Sequence, residues 1–340
     1  ICYYDTYTAY KEDLPKLGSL PLCTASQVSY AMDFKGPVAQ IDTACASSFS
    51  AFLQAILSLK SGECDRCIVA GLAIHLRPTI SYAFHSLKML SDDGTSKCLD
   101  ADANGYCRSE SVICVLLEKE SIANRVYARI VNCQTNCDGY KQEGITFPKY
   151  DNQYQLMKDV YKQAKINPLE LDYIEAHMTG TPAGDPIESR AILSVLRPNY
   201  ERPILFGCLK SNMGHTEGAS ALASISKVVK IFQTGLIPAN LNYHKPNPFI
   251  AGLEKNIIIP VLETTSFCGN LIGVNSFGFG GANVHSILQK YEKSVTDESF
   301  ILNNNQQLPR IINVCNRTVE GINYTFDFLL SNPNVLTREF

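Results

Sequence analysis

The feature that most restricts how this sequence can fold is a reactive side chain set at the junction of two hydrophobic patterns. Val38-Ala39-Gln40-Ile41 reads as a short strand ending at Asp42. Just beyond Asp42-Thr43-Ala44-Cys45-Ala46-Ser47-Ser48, apolar side chains recur at Phe49, Phe52, Leu53, Ile56 and Leu57, which is one buried stripe of a helix. Ser61-Gly62 ends that helix, and Cys67-Ile68-Val69-Ala70-Gly71 reads as the next buried strand. The unit is therefore strand, helix, strand, with Cys45 at the first turn. Further strands are predicted at 112–118, 128–132, 173–176, 204–207 and 272–275, and helices at 153–165, 186–196 and 217–234. Such alternation demands layered α/β architecture, with sheet covered by helices. Strand-like segments ending in polar, reactive residues recur at Cys45 and His177, which points to two similar halves.

The chain has 340 residues, 45% of them hydrophobic, enough to bury a sizeable core. Thirty basic and thirty-three acidic side chains nearly balance, and no Lys/Arg block breaks that balance, which argues against nucleic acid or an anionic membrane as partner. Apolar runs such as 112–117 are far shorter than a bilayer span, and Ile1-Cys2-Tyr3-Tyr4-Asp5 is not a signal sequence, so no membrane insertion is expected. Thirteen cysteines, an odd number scattered through a large chain, fit a reducing cytoplasm better than a disulfide framework. Cys64-Asp65-Arg66-Cys67 has the C-x-x-C form, but no second pair stands at metal-ligand spacing, and it reads as structural. The glycosylation sequons at Asn316 and Asn323 carry no weight without a secretory signal. After Gln289 the composition becomes that of a polar linker over 290–307. Residues 308–340 resume with strand-like Ile311-Ile312-Asn313-Val314 and a helical stretch over 319–330, too little to fold alone. Without an initiator Met, the chain is expected to be a segment of a longer one.

Four segments carry chemistry. Cys45 lies near a helix N-terminus, where unpaired backbone N–H groups favour thiolate, though a Cys at such a turn is also a common core residue. In Glu175-Ala176-His177-Met178-Thr179-Gly180-Thr181-Pro182-Ala183-Gly184-Asp185-Pro186, His177 ends a strand and faces either a cleft or a structural partner. Lys210-Ser211-Asn212-Met213-Gly214-His215 sets an ammonium and a second imidazole after another strand, and the lysine on its own reads equally as a surface charge. Asn275-Ser276-Phe277-Gly278-Phe279-Gly280-Gly281-Ala282-Asn283 is a glycine-rich turn that suits a tight bend or an oxyanion site, and it lacks phosphate-loop spacing.

Taken together, in this order and spacing, these four segments resemble the β-ketoacyl synthases of the thiolase superfamily, over Ile1 to about Gln289. Within it, Ser61-Gly62-Glu63-Cys64, Asn104 to Glu110, Gly144 to Pro148 and Leu308-Pro309-Arg310 look most like the condensing region of animal-type multifunctional fatty acid synthase. The resemblance implies a thiolase-like α-β-α-β-α architecture with two similar halves. The first half would be incomplete, because only 44 residues precede Cys45. It also implies that the tail begins the linker toward an acyltransferase domain. By motif, Cys45 is the implied nucleophile, His177 and His215 the histidines of a Cys-His-His set, and Lys210 their supporting lysine. Thr179 and Thr181 would hold a phosphopantetheine arm, the backbone N–H groups of Cys45 and Phe279 would form the oxyanion hole, and Phe279 would be a gating aromatic. No metal and no directly bound cofactor are implied. The substrates, acyl and malonyl thioesters, would arrive on the phosphopantetheine of an acyl carrier protein domain, and the enzyme would be a homodimer. A polyketide synthase condensing domain and a non-condensing scaffold that binds carrier protein are the competing readings. Two positions depart from the family pattern: Ala46 stands for a usual Ser and Met178 for a usual Gly, and Met178 either lines the pantetheine entrance or packs behind the loop.

Overall fold

The computed structural model describes residues 24–200, 202–292 and 318–331. Chain contacts divide it into one unit, Ile1–Tyr291, and a second, Glu292–Phe340. The first begins with α1 (Thr24–Ala31), α2 (Ser47–Ser61), β1 (Arg66–Ala73), α3 (Thr79–Ser86), β2 (Ser111–Glu118) and β3 (Ala128–Cys137). It continues with α4 (Tyr150–Ala164), β4 (Tyr173–Glu175), α5 (Gly184–Leu196), β5 (Ile204–Gly207), α6 (Lys210–Met213) and α7 (Ser220–Thr234). It closes with β6 (Leu236–Ile237), β7 (Ile258–Pro260), β8 (Thr265–Ser266), β9 (Leu271–Phe277) and β10 (Ala282–Lys290). In the second unit the structure describes one helix, α8 (Val319–Ser331). The strand expected at 311–314 lies outside the described residues.

The principal sheet has six strands in the order β3-β10-β9-β4-β5-β7, with β9, β4, β5 and β7 parallel and the β10 pairings antiparallel. Period-two alternation sorts its side chains between two cores. Ile174, Phe206 and Ile287 face Leu156, Met157, Val160 and Tyr161 of α4 and the apolar stripe of α5. Tyr173, Ile272, Val274 and Val284 face Phe49 and Phe52 of α2 and Leu222, Ile225 and Val228 of α7. The far side of the α2–α7 layer meets β1 and β2, an antiparallel pair whose Val69 and Leu117 join the same core. The described residues thus form four stacked layers, helix, sheet, helix, sheet, of the five that the resemblance implies.

The two similar halves are visible in this stack. α2 is followed by the antiparallel pair β1–β2, and the antiparallel pair β9–β10 lies in the sheet against α7 in the same way. A candidate site residue precedes each central helix, Cys45 just before α2 and His215 just before the short turn that leads into α7. One expectation fails: Val38–Ile41 is not a strand. Its Val38 side chain is 43% exposed, and among the described residues no strand lies beside it. A strand exists only where a neighbour accepts its backbone hydrogen bonds, and the corresponding β5 has two such neighbours. The helix expected over 217–234 is also divided. Glu217 has φ of 41°, so a short 3-10 turn at Glu217–Ala219 precedes α7.

Candidate active site

Cys45 sits on a tight elbow ahead of α2. Ala44 takes φ of 54°, unusual for a residue with a side chain, and the elbow is held by bonds that oppose that strain. The Ser47 hydroxyl donates to the Ala44 carbonyl at 2.6 Å and accepts from the Thr43 N–H at 2.9 Å. The Cys45 carbonyl accepts from the Ser220 hydroxyl at 3.1 Å and the Ser276 hydroxyl at 2.8 Å. The Cys45 backbone is therefore pinned by the first residue of α7 and by the end of β9. Gly278 completes the arrangement: a Cβ there would stand 2.4 Å from the Thr43 carbonyl oxygen, so only glycine lets this loop lie against the elbow. That close approach brings the Phe279 N–H to the Cys45 sulfur, where it joins the N–H of Cys45 itself. The Phe279 ring packs edge-on against Phe84 of α3 at 5.9 Å.

The structure brings Cys45, His177 and His215 together, with one donor atom from each within 4.8 Å of the others. The two imidazole rings stand 5.5 Å apart, nearly perpendicular, and Tyr106 packs on His215. His215 Nδ1 accepts the Glu217 N–H at 3.2 Å, which places the ring proton on Nε2. That Nε2 and His177 Nδ1 are both buried without a hydrogen-bond partner in the structure, a costly condition that a substrate oxygen would relieve. Lys210, at the start of α6, is only 4% exposed, so it is not the surface charge that its sequence context also allowed. Thr179 and Thr181 follow His177 with hydroxyls 3.2 Å apart, and the Thr181 hydroxyl accepts from the Gly184 N–H.

Burial sets the electrostatics. It holds the Cys45 thiol up at about 12, with the Glu217 carboxylate adding to the effect and Lys210 and the N–H groups of Phe279 and Cys45 opposing it. The expectation that the helix N-terminus would favour thiolate is therefore corrected: loss of solvent outweighs the helix N–H groups. Burial, Lys210 and His215 hold His177 well below the usual imidazole range, and burial with Lys210 brings His215 down to about 3. At neutral pH the cluster is a thiol and two uncharged imidazoles. A thiol and two imidazoles are also a donor set for zinc. Here, however, the Lys210 charge that depresses both rings opposes a dication and favours an anion.

Supporting residues escaped the sequence reading. Glu188 of α5, only 2% exposed, accepts the N–H groups of His177 at 2.8 Å and Met178 at 2.7 Å, and the Asn275 amide at 2.9 Å. Asp185, one helical turn earlier, accepts the N–H groups of Gly180 and Leu99, and burial raises it to about 7. Glu175 accepts the Leu209 N–H at 2.7 Å and the Tyr173 hydroxyl at 2.6 Å and pairs with Lys227 at 2.7 Å, which ties the His177 strand to the Lys210 turn. Burial pushes Glu217 up, but bonds from His75 and the Arg108 fork outweigh it and bring it down to about 2. The available signal was acidic residues at i and i+3, Asp185 and Glu188, at the start of α5, and Glu two places after His215.

Met178 is 1% exposed and packs in the core beneath the loop, with its carbonyl accepting from Cys98 and Cys208. It has no positive φ, so the usual glycine is not required here. Met178→Gly is accordingly expected to lose about 2–5 kcal/mol of stability, as for other emptied buried sites. Thermal or denaturant unfolding checks this, and an unchanged midpoint with an altered acyl-chain profile would refute it. Ala46 is likewise fully buried.

Residues 3–123 match the family profile described as Beta-ketoacyl synthase, N-terminal domain, and residues 127–244 match Beta-ketoacyl synthase, C-terminal domain. Residues 246–338 match a Ketoacyl-synthetase C-terminal extension. The chain is 45% identical over 212 residues to a fatty acid synthase of the goose Anser anser anser, covering 62% of this chain and 60% of that protein. It is 41% identical over 286 residues to the highly reducing polyketide synthase easB of Emericella nidulans, covering 82% of this chain and 11% of that one. Among solved structures, the ketosynthase from module 1 of the bacillaene synthase of Bacillus amyloliquefaciens FZB42 superposes with a TM-score of 0.84 at 28% identity, covering 99% of this chain and 61% of that one. The ketosynthase from module 6 of the Bacillus subtilis 168 bacillaene synthase gives 0.78 at 30% identity, over 81% of this chain and 51% of that one. The chain thus spans about 60% or less of the relatives it matches. With its two profiles, its layered fold and its four motifs in order, the chain belongs to the β-ketoacyl synthases, the condensing enzymes of the thiolase superfamily.

Proposed function

We propose that this chain supplies the condensing step of a fatty acid synthase, joining an acyl group held on Cys45 to a malonyl thioester with loss of carbon dioxide. The observation that carries the reading is the buried convergence of one thiol and two uncharged imidazoles beneath two backbone N–H groups. In the first half-reaction the Cys45 sulfur attacks the acyl thioester carbonyl as its proton passes to an adjacent imidazole. The N–H groups of Cys45 and Phe279 receive the developing oxyanion, and the departing thiol takes the proton. In the second, malonyl thioester loses carbon dioxide while His177 and His215 donate hydrogen bonds to the enolate oxygen. The enolate carbon then attacks the acyl-Cys45 carbonyl, and Cys45 leaves as thiolate. In this reading Lys210 supports the anionic chemistry with its positive charge, the Thr179 and Thr181 hydroxyls hold the pantetheine arm, and the Phe279 ring gates its entry.

The identity to the goose fatty acid synthase favours this over a polyketide product. We further propose that an acyl carrier protein domain delivers both thioesters, that two copies associate, and that the protein works in the cytoplasm, where the Cys45 thiol stays reduced. Among the described residues no helix is long and apolar enough to cross a membrane. We assign residues 1–289 to the condensing domain, because β9 and β10 are interior strands of its sheet, 290–307 to a polar linker and 308–340 to the start of the linker region toward an acyltransferase domain. The test is incubation with a labelled acyl thioester and then malonyl thioester. Label on Cys45 followed by a β-ketoacyl product is expected, whereas carrier-protein binding with no acylation would establish a scaffold instead. Reduced, saturated products from the parent protein, rather than retained keto or hydroxyl groups, separate fatty acid from polyketide synthesis.

A further inference from the structure

The turn joining α2 to β1 places the Cys64 and Cys67 sulfurs 2.9 Å apart. Both residues are partly exposed, and the Cys67 thiol also reaches the Ala55 carbonyl at 3.6 Å. A disulfide holds its sulfurs at about 2.05 Å, so an approach of about 0.9 Å would bond this pair. Among the described residues the only cluster of three or more metal-type donors is the one at Cys45, so no third ligand accompanies this pair. Condensation makes no use of either thiol. α2 has 15 residues, about 22 Å at 1.5 Å each, and this length separates the pair from Cys45.

We infer that Cys64 and Cys67 form a reversible dithiol–disulfide site, independent of the acyl-carrying thiol, that takes a low-molecular-weight disulfide as its oxidant. Burial and the neighbouring Cys64 sulfur push Cys67 up to about 12, so Cys64 is the attacking thiol. The Cys64 sulfur, losing its proton to solvent, attacks the small disulfide, forms a mixed disulfide and expels one thiolate, which takes up a proton. The Cys67 sulfur, losing its proton in turn, attacks the Cys64 sulfur of that mixed disulfide and expels the second thiol. The protein gives up two hydrogens and two electrons, and the small disulfide becomes two thiols.

The sequence supplies its own readout, because trypsin cuts after Lys60 and after Arg66, between the two cysteines. The full chain is incubated with oxidised glutathione, its remaining thiols are alkylated, and it is digested without reduction. The expected product is the peptide Ser61–Arg66 linked to the one beginning at Cys67, two hydrogens lighter than their sum and separated by dithiothreitol, from protein that runs as a single chain on a non-reducing gel. Cys64→Ser should abolish the linked species. Separate glutathione adducts on the two peptides, full alkylation of both at an oxidant level that modifies the exposed Cys114, or linkage confined to a cross-linked pair of chains would each overturn the inference. Labelled acylation of Cys45 is measured in parallel and is expected to be unchanged by the oxidation, so failure of this site and failure of the condensing assignment remain distinguishable.

Discussion

Cys45→Ala is expected to abolish both self-acylation and condensation. No other side chain can replace the sulfur: the elbow fixes one atom beside the N–H groups of Phe279 and Cys45, and the neighbouring hydroxyls of Ser47, Ser220 and Ser276 are committed to backbone carbonyls. The removed side chain is small, and the bonds that pin the elbow involve its backbone, so the variant should fold. The measurement is the retention of a labelled acyl group after denaturation, alongside the unfolding midpoint. Label retained on the alanine variant at the level of the parent would mean that another residue is the nucleophile.

His177→Ala and His215→Ala are expected to split the two half-reactions. Acyl transfer to Cys45 should remain measurable, because both variants keep the backbone oxyanion donors and His215→Ala also keeps His177 as proton acceptor. Decarboxylation of malonyl thioester should fall on the order of a hundredfold to a thousandfold, the usual cost of losing one oxyanion donor. The pH dependence carries independent information. Both rings are depressed, His215 to about 3, so each is neutral above its lowered pKa and charges only when the pH falls through it. Release of carbon dioxide by acylated protein should therefore show no imidazole titration between about pH 6 and 8, where an unperturbed histidine titrates. Unchanged release in both variants would refute the assignment of these histidines, and a titration near 6.5 in the parent would show that the rings are solvated.

The alternation of apolar patterns was enough to place most elements, since period and end signals are local properties. The strand at 204–207 and the helices ending at Leu196 and Thr234 stand where the sequence puts them. Val38–Ile41 was misread for the complementary reason: apolar content makes a segment able to pair, but a strand needs a neighbour, and that is a tertiary fact. Cys45, His177, Lys210 and His215 were legible because each stands at the end of an element within a distinctive motif. Their protonation was not, since the helix N-terminus is local whereas the burial that overrides it is made by residues far away in the chain. Met178 shows the same division, because its identity was evident at once and its position beneath the loop only after folding.

By itself the sequence determined the α/β class, the order of elements and the candidate reactive residues, because these depend on short-range periodicity and side-chain chemistry. Only the tertiary structure decided which buried carboxylates hold the loops, which imidazole nitrogen carries the proton, and that the thiol stays protonated at rest. Those outcomes depend on groups converging from α2, β4, α5, α6, α7 and β9, and on the exclusion of water that their packing produces.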